Sequence, residues 1–222
     1  MSVSLHRMRS GCRSNEALDV PLSQEERANM IASAARKLEE LLDVLRVDHR
    51  SDHNTRDTPS RVARMLVDET MAGRFAPTPP ITAFDNAEGY ESLIVTGPIA
   101  VRSTCAHHMM PIYGSAYIGI VPARDGRIIG LSKYDRIVNH FASRLQIQEE
   151  LVQQIGNYIQ EATAPRGLAV RISAVHMCKT HRGVHASHLS RMVTNAWFGE
   201  MKTDHALKQE FLGECSTLGC SS

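Results

Sequence analysis

Two cysteines, far apart in this 222-residue chain and each set beside histidine, constrain its fold more than any other feature. Cys105 and His108 lie in Ser103-Thr104-Cys105-Ala106-His107-His108, and Cys178 lies far downstream in His176-Met177-Cys178-Lys179-Thr180-His181. Cys105 and His108 stand at the end of one predicted strand and Cys178 at the end of another. If the three share a ligand, the fold must bring two strand ends together. Two thiolates and an imidazole suit zinc, and three protein ligands leave a fourth position at which water is activated near neutral pH. The pattern points to hydrolytic chemistry. Cys-x-x-His alone is a weak signal, and the plain alternative is ordinary core or surface cysteines and histidines.

With those three residues assigned to a metal, His107 and His176 remain as proton donors or acceptors, since imidazole does either near neutral pH. Gly130-Leu131-Ser132-Lys133 precedes a predicted helix with Arg136 one turn on, which gathers donors for an anion, most simply phosphate, at a positive helix start. Arg182 adds a guanidinium from the Cys178 side. Gln148 and Glu149 read from spacing as an exposed helix face, although a carboxylate there suits the paired donors of a guanine edge.

Periodicity supplies the framework. Apolar residues from Ile31 to Leu45 recur at helical spacing, and Ser23 three residues before Glu26 forms a capping-box signature. Thr58-Pro59 opens a second helix that runs to Gly73, and a proline-rich linker follows at residues 77–80. Strand alternation then runs over Leu93 to Ser103 and Ile112 to Pro122, with a hairpin turn signal at Asp125-Gly126. One long helix is predicted from Ser132 to Ala162, then strands over Leu168 to His176 and Val193 to Phe198. This order predicts an α+β fold with antiparallel pairing.

The formal net charge of +1 gives no electrostatic reason to expect a nucleic-acid partner. No apolar run approaches the roughly 20 residues of a membrane span, so no membrane partner is expected. Five cysteines in this arrangement are not a disulfide framework, and a reducing, cytoplasmic location is expected. Arg7, Arg9 and Arg13 precede any acid, a composition shared by transit peptides and by frayed polar termini; the latter is the reading taken. The end from Glu214 through Ser222 reads as a disordered tail. The expected organisation is a flexible segment at 1–22, a helical region at 23–76, a catalytic domain at 77–212 and a flexible tail at 213–222.

The chain resembles GTP cyclohydrolase I. The resemblance rests on Thr58 to Met65, Ser103 to His108, Pro111-Ile112-Tyr113-Gly114, Gly130 to Lys133 with Arg136-Ile137-Val138, Gln148-Glu149, and His176-Met177-Cys178 with Arg182-Gly183. It implies a tunnelling fold, a four-stranded antiparallel sheet with helices on one side, preceded here by an N-terminal helical extension. It also implies a toroidal homodecamer with sites between subunits, and conversion of GTP to 7,8-dihydroneopterin triphosphate and formate.

Residue by residue, the resemblance implies that Cys105, His108 and Cys178 hold Zn2+, which activates the water that attacks C8 of guanine. His176 assists proton transfer at the imidazole ring, and His107 donates toward the ribose oxygen with Ser132 nearby. Glu149, supported by Gln148, holds the guanine edge, while Lys133, Arg136 and Arg182 hold the triphosphate. Arg61 and Arg64 correspond to basic residues that reach the phosphates from a neighbouring subunit.

Four departures stand out. Ala106 replaces the family's usual glutamate and Met109 a Phe or Leu. Lys179-Thr180-His181 is more polar than usual, and Ser190 to Trp197 only partly follows a Thr- and Ser-rich pattern. A lost carboxylate beside the metal bears on later steps more than on attack at C8. The alternatives are therefore a diverged paralogue that yields a formylamino-pyrimidine or a specialised product, and a non-catalytic subunit that binds zinc and nucleotide.

Overall fold

The structure, a computed structural model, describes residues 13–18 and 20–219. Arg7, Arg9 and Cys220 lie outside them. The chain forms two compact units that divide between Pro77 and Thr78.

In the first unit, α1 (Gln24–Val44) begins at the predicted capping box: Glu26 N–H donates to Ser23 Oγ at 3.2 Å and Ser23 N–H donates to Glu26 Oε2 at 2.9 Å. α2 (Thr58–Met65) opens with Pro59 in its first turn, where a missing N–H costs nothing, and a π-helical turn (Leu66–Thr70) leads to α3 (Ala72–Phe75). Part of the segment expected to be flexible is anchored. Arg74 Nη1 donates to the carbonyls of Arg13 and Glu16 at 2.7 and 2.8 Å.

The second unit is built on a five-stranded sheet. It contains β1 (Ala83–Asp85), β2 (Ile94–Cys105), β3 (Pro111–Val121), β4 (Arg127–Ile129), α4 (Ser132–Ala142), β5 (Leu145–Gln146) and α5 (Gln148–Thr163). It continues through β6 (Gly167–His176), α6 (Met177–Thr180), β7 (Met192–Gly199) and α7 (His205–Gly219). The sheet order is β5-β2-β3-β6-β7, antiparallel except where β5 runs parallel to β2.

Alternation along the strands assigns the two faces. Ile112, Ala116, Ile118 and Ile120 of β3 pack with Leu168, Val170 and Ile172 of β6 against Ile137, Phe141, Leu151 and Ile155 of α4 and α5. Tyr117, Val121 and Ala169 point the other way, onto Phe211 and Cys215 of α7. A Cβ at Gly119 would collide with the Phe211 ring, so glycine lets α7 approach the sheet.

Four expectations change. The sheet has a fifth, short strand, and helices cover both faces because α7 closes the second one. The helix predicted from Ser132 to Ala162 is two helices, interrupted where Arg144, Gln146 and Gln148 turn inward and are 3%, 1% and 1% exposed. The Asp125-Gly126 turn forms, with Gly126 N–H donating to Ala123 O at 3.0 Å, yet β4 pairs with β1 and not with β3. Asn86 explains that switch: its buried amide donates to Ala123 O at 2.9 Å and to Tyr90 O at 2.8 Å, which draws the β1 segment to the turn. Finally, the expected tail from Glu214 to Gly219 continues α7.

Candidate active site

Pairing in the sheet brings the two predicted ligand segments to one end of it. β2 and β6 both flank β3, with Thr104 opposite Pro111 and Ile112 opposite His176. Beyond Cys105 the chain makes a tight turn in which Met109 N–H donates to Cys105 O at 2.9 Å and Cys105 N–H donates to Met110 O at 2.8 Å. Met109 has φ +52°, a left-handed conformation that costs a non-glycine residue about 1 kcal/mol or more, and it carries His108 back over the strand end. β5 steadies this turn, since Ala106 N–H donates to Gln146 O at 3.0 Å.

Cys105, His108 and Cys178 each offer a ligand atom within 4.8 Å of the other two. Tetrahedral zinc, with bonds of about 2.0–2.3 Å, sets its ligand atoms about 3.5–4 Å apart, so these donors fit it after a small inward adjustment. Cys105 is buried, Cys178 half-buried and His108 exposed, which leaves the site open on the His108 side. His107 Nδ1 lies 3.8 Å from Cys105 Sγ.

His176 Nε2 lies 2.7 Å from Gln148 Oε1. Burial holds the His176 imidazole below its ordinary pKa; the Glu149 carboxylate opposes this and Lys179 adds to it. Burial raises the Cys178 thiol, as does its contact with Cys105, while the Arg182 charge lowers it. The Glu149 and Lys179 charges thus act on His176, and the Arg182 charge on Cys178. Glu149 is exposed as spacing predicted, whereas Gln148 is buried beneath it.

Ser132, Lys133 and Arg136 occupy the start of α4, whose far end meets the strand through Ser103 Oγ donating to Ala142 O at 2.7 Å. Ten residues of helix separate Ser132 from that contact by about 15 Å. The first-turn amides do not serve as free anion donors: Lys133 N–H donates to Gly130 O and Tyr134 N–H to Leu131 O. Arg136 lines a shallow groove with Arg102, Asp135, Asn139 and Ala100. Arg61 and Arg64 lie on α2 in the first unit, with Arg61 Nη2 3.3 Å from Asp57 Oδ2.

Comparison with known proteins decides the family. The family model for GTP cyclohydrolase I matches residues 34–216. The chain belongs to the GTP cyclohydrolase I family. A relative named GTP cyclohydrolase 1 from Shewanella baltica (strain OS185) is 40% identical over 191 residues, covering 86% of this chain and 85% of the relative. Another of that name from Shewanella oneidensis is 40% identical over 176 residues, covering 79% of this chain and 80% of the relative. Among solved structures, archaeosine synthase QueF-Like in the apo form is similar over 49% of this chain and 92% of its own, with 14% identity and a TM-score of 0.37.

Two departures from the GTP cyclohydrolase I pattern have a structural account. The turn that carries Ala106 is held by backbone hydrogen bonds, so its shape does not depend on the side chain at that position. Trp197 meets Phe211 edge-on at 5.8 Å between ring centroids and seats α7, with Lys208 Nζ 5.6 Å above the indole. Among the described residues no helix is long and apolar enough to cross a membrane.

Proposed function

We propose that this chain hydrolyses the imidazole ring of GTP at C8, releases formate and rearranges the remainder to 7,8-dihydroneopterin triphosphate. The convergence of Cys105, His108 and Cys178 beside His176 and Glu149, in a chain of this family, carries the reading. A zinc ion on those three donors supplies, when bound, the Lewis acidity that makes water nucleophilic near neutral pH. One water adds at C8 and opens the ring to a formylamino group, a second hydrolyses that amide to formate, and the freed nitrogens take up protons; the ring closure that follows returns one water. His176 moves those protons, and His107, with Ser132 from the α4 start of another copy, serves the later opening of the ribose. Glu149 accepts from N1–H and the exocyclic amine of guanine, which fixes the orientation of the base in the site.

The triphosphate needs several cations, because one exposed lysine does not offset its desolvation. Arg182 lowers the Cys178 thiol through its charge, whereas Lys133 sits about 14 Å and Arg136 about 9 Å along α4 from the contact with Ser103. This supports a homo-oligomer, a decamer by resemblance, in which the α4 start of another copy, together with Arg61 and Arg64, completes the site. A cytoplasmic location and no membrane or nucleic-acid partner fit this reading.

Ala106 favours a second reading, a paralogue that stops at the formylamino-pyrimidine for want of a carboxylate beside the histidines. Mass spectrometry of products from GTP and zinc-loaded protein, beside an Ala106→Glu variant, separates the two. Dihydroneopterin triphosphate from the natural protein supports the full reaction. A formylamino product that the variant carries onward supports the second reading, and unchanged GTP rejects both.

A further inference from the structure

Gln148, the first residue of α5, is oriented by bonds that leave it no choice. Its Nε2 faces Ile172 O at 3.2 Å, Met192 O at 3.1 Å and Thr194 Oγ1 at 3.1 Å. Backbone carbonyls accept hydrogen bonds and never donate them. Turning the amide over would set Oε1 against two carbonyl oxygens in a buried site, where unpaired acceptors are costly. Nε2 therefore faces β6 and β7, and Oε1 faces His176 Nε2 at 2.7 Å. An amide oxygen only accepts, so the hydrogen in that contact belongs to the imidazole. Neutral imidazole carries one N–H, which leaves the lone pair on Nδ1.

We infer that Gln148 is a positioning residue that fixes His176 in its Nε2–H tautomer, so that Nδ1 is the atom through which His176 exchanges protons. This rests on the reading of His176 as the proton-transfer residue and adds the atom. His176 takes up and gives back its proton at Nδ1, while Nε2–H stays on Gln148. The ring cannot turn over to present the other nitrogen without breaking that bond. The same bonds remove Gln148 from the guanine subsite, because the hydrogens of its amide are spent on the sheet. Guanine recognition is left to Glu149.

The test is nuclear magnetic resonance of the zinc-loaded full chain labelled with 15N in the histidine rings, with His176 assigned by the signal lost in His176→Gln. The wild-type spectrum, taken without substrate, is expected to show a protonated Nε2 and a bare Nδ1. In Gln148→Met the preference is expected to disappear, with kcat for GTP falling about 10- to 100-fold and KM staying within about twofold. A proton on Nδ1 in the wild type overturns the inference, and that spectrum decides even where Gln148→Met fails to fold. An unchanged tautomer in folded Gln148→Met also overturns it, as does a raised KM with intact kcat. Since the spectrum needs no turnover, inactivity toward GTP would reject the proposed reaction and not the tautomer.

Discussion

Arg144 donates from Nη2 to His140 Nε2 at 2.6 Å, and both side chains are buried where α4 ends. A guanidinium has no acceptor to offer, so His140 must be neutral at that nitrogen. Burial first, and the Arg144 charge second, lower its pKa from 6.5 to about 4. Above pH 6.5 the folded and unfolded chains both hold His140 neutral, and its contribution to stability is complete. As the pH falls from 6.5 toward 4, the unfolded chain takes the proton first and stability drops, by roughly 3 kcal/mol in all. Below about pH 4 this group adds no further loss. His140→Gln keeps an acceptor for Arg144 without titrating. Urea unfolding above pH 6.5 and near pH 4 is expected to show a smaller acid loss in the variant than in the wild type.

The second face of the sheet depends on α7. Phe211 is fully buried against Trp197, and Phe211→Ala is expected to cost about 3–5 kcal/mol, measured by chemical denaturation, and to expose the last helix to proteolysis. A disordered tail would predict no change in either measurement.

Glu149 is the exposed carboxylate next to the buried Gln148, and the proposed function makes it the guanine reader. Charge-assisted hydrogen bonds contribute about 1.5–3 kcal/mol, so Glu149→Gln should lower kcat/KM for GTP about 10- to 100-fold. The variant should also lose most of the preference for GTP over inosine triphosphate, which lacks the exocyclic amine. Kinetics with the two nucleotides check this, and an undiminished preference would remove Glu149 from the role.

Elements with strong periodicity were legible in the residues. The capping box at Ser23 and Glu26 marks α1, and the alternation of Ile112, Ala116, Ile118 and Ile120 marks β3. The cysteine-histidine cluster was legible because its chemistry is specific and its members stand at strand ends. The break between α4 and α5 was hidden, because inward-facing Arg144, Gln146 and Gln148 look like surface residues until tertiary partners satisfy them. Gln146 Nε2, for example, donates to Phe141 O at 2.6 Å. α7 could have been found: Leu207, Phe211, Cys215 and Leu218 follow helical spacing, a signal obscured by the small and polar residues between them. The distance from the α4 start to the metal donors was not legible, because spacing along a chain does not say whether two groups of one site belong to one copy.

The central claim is that Cys105, His108 and Cys178 hold the zinc on which the reaction depends. The most direct measurement is zinc content and formate release from GTP, for wild type, for chelator-stripped protein with zinc added back, and for Cys178→Ala. The account predicts about one zinc per chain, loss of formate on stripping, recovery with stoichiometric zinc, and neither zinc nor formate in Cys178→Ala. Formate release by the stripped protein, or a full zinc complement in Cys178→Ala, would contradict it.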